Sequence, residues 1–136
     1  MKQALLDANV ILRFLRNDDP RQSPLARKLF ADANDGKITL LLTPVTLAEV
    51  FYAFRASYKM GRKETAALLQ DLLRTGILQV AEIDVLMDAL SRVETANVDF
   101  VDALLAAEAT ASGVPVATFD TDFDKFSDVP QFEWER

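Results

Sequence analysis

Four acidic residues of this chain follow predicted strands or lie near the start of the helices after them: Asp7, Glu49, Asp102 and Asp120. Carboxylates that converge without a basic partner repel one another, so each is costly in its ionised form. A divalent cation relieves that repulsion, and a site built only from oxygen ligands favours Mg²⁺ or Mn²⁺. Water bound to such an ion is a nucleophile, which points to hydrolysis of phosphodiester bonds.

Composition removes most other catalytic chemistry. The 136 residues include no histidine and no cysteine, which excludes Ser-His and Cys-His nucleophiles, disulfides and the usual zinc sites. The sequence also lacks an apolar stretch long enough to cross a bilayer. We therefore expect a soluble, cytoplasmic protein whose chemistry depends on carboxylates, hydroxyls, Lys, Arg or an oxygen-bound metal.

The stretch 99–124 predicts a helix, a turn, a strand and an acidic loop. Asp102 lies in the first turn of the helix, where the dipole favours a negative charge, and Gly113 ends that helix, while Asp99 is expected to cap it. Residues 114–118 form a predicted buried strand. The loop after this strand carries Asp120, Asp122 and Asp124. Because ligands bind outside the carboxyl ends of parallel strands, the loop and the start of the helix are expected to share one edge.

Strands and helices alternate along the rest of the chain. Further strands are predicted at residues 3–6, 38–42 and 77–83, with a short edge strand at 131–134. This alternation predicts an α/β fold, a three-layer α/β/α sandwich around a central, mainly parallel sheet of about five strands. We expect residues 1–136 to form one domain, with the four acids at one edge of its sheet.

Helix capping is the main alternative role for these acids. Asp7 or Asn9 could simply cap the helix that follows, which is the more frequent role of an isolated Asp-x-Asn. Glu49 could complete a capping box with Thr46. The placement of the acids at equivalent points of successive strand-helix units favours a shared site instead.

Charge is distributed unevenly along the chain. Residues 1–68 carry 11 Lys and Arg against 7 Asp and Glu, or +4, whereas residues 69–136 carry 4 against 14, or −10. The basic half contains Arg13, Arg16, Arg55, Lys59, Arg62 and Lys63. Such residues serve equally well as solvated helix faces or as a phosphate-binding patch.

Four motifs occur in order along nearly the whole chain. They read Leu6-Asp-Ala-Asn-Val-Ile-Leu-Arg13, Leu47-Ala-Glu-Val50, Asp99-Phe-Val-Asp-Ala-Leu-Leu-Ala-Ala107 and Val116-Ala-Thr-Phe-Asp-Thr-Asp-Phe123. Together they resemble the PIN-domain family, in particular the VapC-type toxin ribonucleases of toxin-antitoxin pairs. The combination is specific, although each motif is weak by itself.

This resemblance implies a divalent-metal-dependent endoribonuclease on a five-stranded parallel sheet, with Mg²⁺ or Mn²⁺ as cofactor. The family's metal-binding and catalytic acids are matched by Asp7, Glu49, Asp102 and Asp120. Its supporting positions are matched by Asn9 and Thr118, and Asp122 would assist through water. Ala8 departs from the family, in which many members carry Thr, and we expect this to weaken the site rather than abolish it.

The resemblance also implies partners. A VapC-type toxin acts on RNA, forms a homodimer and binds a cognate antitoxin that covers its acidic edge. In this scheme RNA phosphates are held by Arg13, Arg16, Arg55, Lys59, Arg62 and Lys63.

Three alternatives stay open. The first is a PIN-type nuclease outside a toxin pair, acting in RNA processing or on structured DNA. The second is an aspartyl-phosphate phosphotransferase of the haloacid-dehalogenase type, but that family prefers Asp-x-Asp, where this chain has Asn9, and needs a positioned Lys. The third is a non-catalytic metal- or protein-binding α/β domain, which metal-dependent turnover would exclude.

Overall fold

Residues 2–135 are described by a computed structural model, in which strands and helices alternate. The strands are β1 (Lys2–Leu5), β2 (Ile38–Leu42) and β3 (Leu78–Val80). The helices are α1 (Ala8–Arg16), α2 (Gln22–Asn34), α3 (Pro44–Ala56), α4 (Arg62–Arg74), α5 (Ile83–Ala96) and α6 (Phe100–Ser112), and a 3-10 helix spans Thr121–Lys125. Among the described helices, none combines the length and the apolar character needed to cross a membrane.

The chain divides into two compact units. Unit 1 comprises the described part of Met1–Lys59 together with Asp71–Ala81. Unit 2 comprises Met60–Gln70 and the described part of Glu82–Arg136. The boundary between Gln70 and Asp71 falls inside α4, so this helix contributes to both units.

Unit 1 contains the parallel sheet. Strand β2 pairs in parallel with β1 on one side and with β3 on the other. A central parallel strand needs apolar side chains, and Leu40 in the middle of β2 is fully buried. Helices α1 and α2 connect β1 to β2, and the rings of Phe14 and Phe30 stack between them at 3.9 Å between centroids. Helix α3 is likewise buried at Leu47 and Val50.

Unit 2 is built on the packing of α5 against α6. Small side chains let the two helices approach closely, since Ala89, Ala103 and Ala106 are fully buried. The backbone ends α6 at Gly113, which adopts the left-handed conformation (φ 73°) predicted for this C-cap. Beyond α6, the rings of Phe119 and Trp134 stack with 4.8 Å between centroids.

The α/β class is confirmed, but the predicted count of about five strands is wrong, because the described residues form a sheet of three. The segments 114–118 and 131–134 share only one parallel bridge, Val116 to Gln131. Continuing this ladder back to Val114 would need an N–H from Pro130, which has none. The strand predicted at 77–83 is also shorter, because α5 already begins at Ile83.

Candidate metal centre

Three carboxylates of unit 2 converge at the start of α6. Asp102, Asp120 and Asp122 each place one oxygen within 4.8 Å of the others, and we call these three residues the Asp cluster. Asp102 lies in the first turn of α6, whereas Asp120 and Asp122 lie at the start of the 3-10 helix. Of the four predicted metal ligands, Asp102 and Asp120 thus lie together within unit 2, and Asp122, predicted as a supporting residue, lies beside them.

Two local hydrogen bonds hold the backbone of the acidic loop that carries Asp120 and Asp122. The Oγ1 of Thr118 accepts from the backbone N–H of Asp120 at 2.9 Å. Asp120 in turn caps the 3-10 helix, because its Oδ1 accepts from the N–H of Asp122 at 2.8 Å. These two bonds fix the turn that directs both carboxylates towards α6.

The surroundings of the Asp cluster disfavour the ionised form of Asp102. Burial raises the pKa of Asp102, and the negative charges of Asp120, Asp122 and Asp99 raise that pKa further. Asp122 forms an ion pair with Lys125 at 3.3 Å. In the described part of unit 2, no Lys or Arg forms an ion pair with Asp102 or Asp120. Three oxygen donors, two of which have no basic partner among the described residues of unit 2, fit a hard divalent cation.

Arg92 fixes the far end of the same loop. Its guanidinium donates two hydrogen bonds to the carboxylate of Asp128, at 2.9 and 2.6 Å, and others to Asp88 at 3.1 Å and to Thr110 at 3.2 Å. The guanidinium also lies 5.2 Å from the ring centroid of Phe126. We call Arg92, Asp88, Asp128 and Thr110 the Arg92 network. The loop is therefore held at both ends, by Thr118 before the Asp cluster and by Arg92 after it.

Two neighbouring acids take other partners. Asp99 occupies the predicted N-cap position of α6, but the side-chain cap bond expected there is absent. Its carboxylate instead accepts from Nε of Arg62 at 2.9 Å. Asp124 accepts from the side-chain amide of Gln131 at 3.0 Å and is not part of the Asp cluster.

The other two predicted ligands belong to unit 1. Asp7 occupies the N-cap position of α1 but makes no side-chain cap bond, and its side chain is exposed. Thr43 caps α3 by accepting from the N–H of Thr46, so the capping box proposed for Glu49 does not form. Thr46 Oγ1 instead donates to the carbonyl of Leu6 at 3.3 Å. This bond joins the first turn of α3, which precedes Glu49, to the residue before Asp7.

Some of the predicted RNA-binding residues contact other side chains of the protein, and some are exposed to solvent. Arg13 pairs with Asp18 at 2.8 Å, and the guanidinium of Arg16 lies 4.5 Å from the ring centroid of Tyr58. Arg55 is half-buried, while Lys59 and Lys63 are exposed. Arg62 is taken up by Asp99, as described above. Arg55 and Lys59 belong to unit 1, whereas Arg62 and Lys63 belong to unit 2.

Arg92 is the positioning residue that the sequence interpretation missed. It lies next to the apolar stripe of α5 that includes Ala89, Leu90 and Val93, and its side chain is only 10% exposed. The sequence signal for this role was an oppositely charged pair. Asp88 and Arg92 lie four residues apart on α5, beside its apolar stripe.

Comparison of the sequence with known protein families identifies the family of this chain. The profile of the PIN domain matches residues 4–129, and a search of curated proteins gave no significant match. PIN domains are generally nucleases that act on RNA or other nucleic acid and typically use a divalent metal ion. Because the matched region spans nearly the whole chain, this protein belongs to the PIN domain family.

Proposed function

We propose that residues 1–136 form a single divalent-metal-dependent endoribonuclease domain. It hydrolyses RNA phosphodiester bonds and serves as the toxin of a toxin-antitoxin pair. The observation that carries the nuclease proposal is the Asp cluster, in which three carboxylate oxygens lie within 4.8 Å of one another. Within the described residues of unit 2, Asp102 and Asp120 lie together without a basic partner, at a cost that a bound cation would offset.

Mg²⁺ or Mn²⁺ is the proposed cofactor, and Asp102 and Asp120 are its proposed ligands in unit 2. The motif resemblance assigns the same metal-binding and catalytic role to Asp7 and Glu49, with Asn9, Thr118 and Asp122 in support. The exposed carboxylates of Asp7 and Glu49, neither of which caps its helix, suit that assignment. When bound, the ion supplies an activated water and neutralises charge on the phosphate.

The protein's own residues prepare this site. Thr118 and the backbone of the 3-10 helix hold Asp120 in one orientation, so little ordering remains to be done on binding. The raised pKa of Asp102 means that burial and the neighbouring acids disfavour its ionised form, and a bound cation would offset that cost. Ala8 offers no hydroxyl beside Asp7, and this departure from many family members is expected to lower the rate modestly.

RNA is the proposed substrate. The positive balance of residues 1–68, +4 from 11 basic and 7 acidic residues, supports phosphate binding by this part of the chain. Arg16, Lys59 and Lys63 are exposed and therefore the most accessible of the proposed phosphate-binding residues, ahead of Arg13, Arg55 and Arg62. A homodimer, a cognate antitoxin and a cytoplasmic location complete the proposal on the strength of the motif resemblance.

Cleavage of a mixed RNA panel by purified, partner-free protein tests the nuclease proposal. We expect cutting with Mg²⁺ or Mn²⁺, none with chelator, and none by Asp102→Asn. Asp124→Asn is the matched control, because its carboxylate bonds to Gln131 outside the Asp cluster. If the folded protein neither cuts RNA nor binds either metal, the non-catalytic alternative replaces this proposal.

Expression in a bacterial host tests the toxin role separately. We expect wild-type protein to arrest growth, Asp102→Asn to permit growth, and co-expression of a protein encoded beside it to restore growth. Metal-dependent cutting in vitro without growth arrest would favour a PIN-type nuclease of RNA processing.

A further inference from the structure

A groove in unit 1 opens beside Asp7. It has a volume of about 400 Å³ and lies between the first turns of α1 and the inner face of α2. Its lining includes Asp7 at the N-cap of α1, Asn9 and Arg13 from α1, and Gln22, Leu25 and Leu29 from α2. This volume is at the lower end of the range of small-molecule sites, about 300–1,000 Å³, and suits one nucleotide rather than a duplex.

The lining combines apolar walls with unused hydrogen-bonding groups. Leu25 is 67% exposed although it belongs to the groove, so an apolar side chain is left facing water. The side-chain amides of Asn9 and Gln22 make no hydrogen bond within the described residues. An apolar slot with free amide donors and acceptors recognises a planar ring that carries donors and acceptors on its edge, which is the chemistry of a nucleobase.

Arg13 contributes an N–H group that has no hydrogen-bond partner within the described residues. Its Nε is buried and has no hydrogen-bond partner, while its Nη1 pairs with Asp18. An orphaned N–H of this kind is unfavourable, and an acceptor oxygen from a ligand would relieve it. The pair with Asp18 is partly exposed, and water therefore screens it.

We propose that this groove is a nucleobase subsite for one unpaired nucleotide of the RNA substrate. Leu25 and Leu29, which lie side by side on α2, contact one face of the base, and Asn9 and Gln22 bond to its edge. The subsite rests on the proposed nuclease function, because Asp7 lines the same groove and is a proposed metal ligand. A base held there places its own phosphate beside Asp7, so the groove selects the nucleotide next to the cut.

Titration of the metal-free, full-length protein with AMP, GMP, CMP and UMP tests the subsite without any cleavage. We expect at least one nucleotide to shift the NMR signals of the Asn9 and Gln22 side-chain amides and of the Leu25 methyl groups. Gln22→Ala should weaken that binding about tenfold, whereas Gln79→Ala, an exposed residue of β3 outside the groove, should not. Absence of groove shifts with all four nucleotides overturns the subsite, whether or not the protein cuts RNA.

Cut-site profiles on a randomised single-stranded RNA supply the second test. If Gln22 bonds to the base edge, Gln22→Glu changes the base preference at one position next to the cut by about tenfold. Cutting with an unchanged profile contradicts the subsite and leaves the nuclease intact. Groove shifts in a protein that cuts nothing contradict the nuclease and leave the nucleotide site. Shifts caused only by a basic, apolar peptide would assign the groove to a protein partner.

Discussion

The Asp cluster and the Arg92 network place the same side chain in opposite environments within unit 2. Burial and neighbouring acids raise the pKa of Asp102, whereas hydrogen bonds from Arg92 lower the pKa of Asp128. In the Arg92 network a largely buried guanidinium satisfies two carboxylates. In the Asp cluster no such cation is present among the described residues of unit 2 for Asp102 and Asp120.

This difference separates residues that stabilise the fold from residues kept for binding. The Arg92 network contributes to the free energy of unfolding because its charges are compensated. The Asp cluster lowers the stability of the metal-free protein because its charges are not. An environment that disfavours ionisation at a converging group of acids is a frequent mark of a functional site.

The largest expected effect is the loss of metal binding when a charge leaves the Asp cluster. Asp102→Asn keeps the size of the side chain and removes its charge, so we expect Mn²⁺ affinity to fall by at least about 100-fold. Isothermal titration calorimetry measures this directly. Asp124→Asn should retain the wild-type affinity, and equal affinities for all three proteins would contradict the assignment of the Asp cluster as the metal site.

Removing the cation of the Arg92 network should have the largest effect on stability. Arg92→Ala leaves Asp88 and Asp128 without their partner and is expected to lower the free energy of unfolding by about 2 kcal/mol. The cost stays below that of breaking a fully buried pair, because the side chain of Asp128 is 55% exposed. Urea unfolding followed by circular dichroism measures it.

Lys28→Ala is the matched control for that measurement. Lys28 pairs with Asp32 four residues away on α2, and the Lys28 side chain is 72% exposed. We expect its removal to leave the free energy of unfolding nearly unchanged, because water screens this exposed pair. An Arg92→Ala protein as stable as Lys28→Ala would show that the network adds nothing to the fold.

A smaller effect is expected where the loop enters the Asp cluster. Thr118→Val preserves the shape of the side chain but removes the oxygen that accepts from the N–H of Asp120. We expect Mn²⁺ affinity to fall about tenfold with little change in stability. Thr95→Val, on the exposed face of α5, is the control. An unchanged affinity would mean that the hydrogen bond from the N–H of Asp122 is enough to orient the carboxylate of Asp120.

The smallest expected effect is the pH dependence of stability in the metal-free protein. Because the pKa of Asp102 is raised in the folded state, its contribution falls as the pH rises from the ordinary aspartate pKa through the raised value. Because the pKa of Asp128 is lowered, its stabilising contribution is present above the ordinary value and is lost as the pH falls through the lowered one.

Urea unfolding across this acidic range separates the two residues. As the pH rises through this range, the free energy of unfolding of Asp102→Asn should increase relative to that of the wild type. The free energy of unfolding of Asp128→Asn should decrease relative to the wild type. Parallel curves for both variants would contradict the contrast between the two regions.

Local signals in the sequence predict much of this fold. The Thr43-Pro44 start of α3 and the end of α6 at Gly113 need only a few neighbouring residues, and both are observed. The strands predicted at 114–118 and 131–134 reduce to a single bridge, and periodicity does not register the missing N–H of Pro130 on one side of it.

The side-chain cap bond expected of Asp99 is absent for a nonlocal reason. Its side chain prefers Arg62, which is 37 residues away, to the adjacent backbone. The Arg92 network escapes sequence interpretation in the same way, since Asp128 lies 36 residues from Arg92. Asp102 and Asp120 are accessible to sequence reasoning because a motif marks each of them, whereas their proximity within unit 2 depends on tertiary packing.

The stacked rings of Phe119 and Trp134 give the protein a built-in optical reporter. Trp134 is the only tryptophan in the chain, and Phe119, which is 87% exposed, immediately precedes Asp120. A shift of the acidic loop therefore alters the surroundings of a single indole and changes its emission. Metal or oligonucleotide titrations can be followed by intrinsic fluorescence without a label, and the signal originates at this stacked pair.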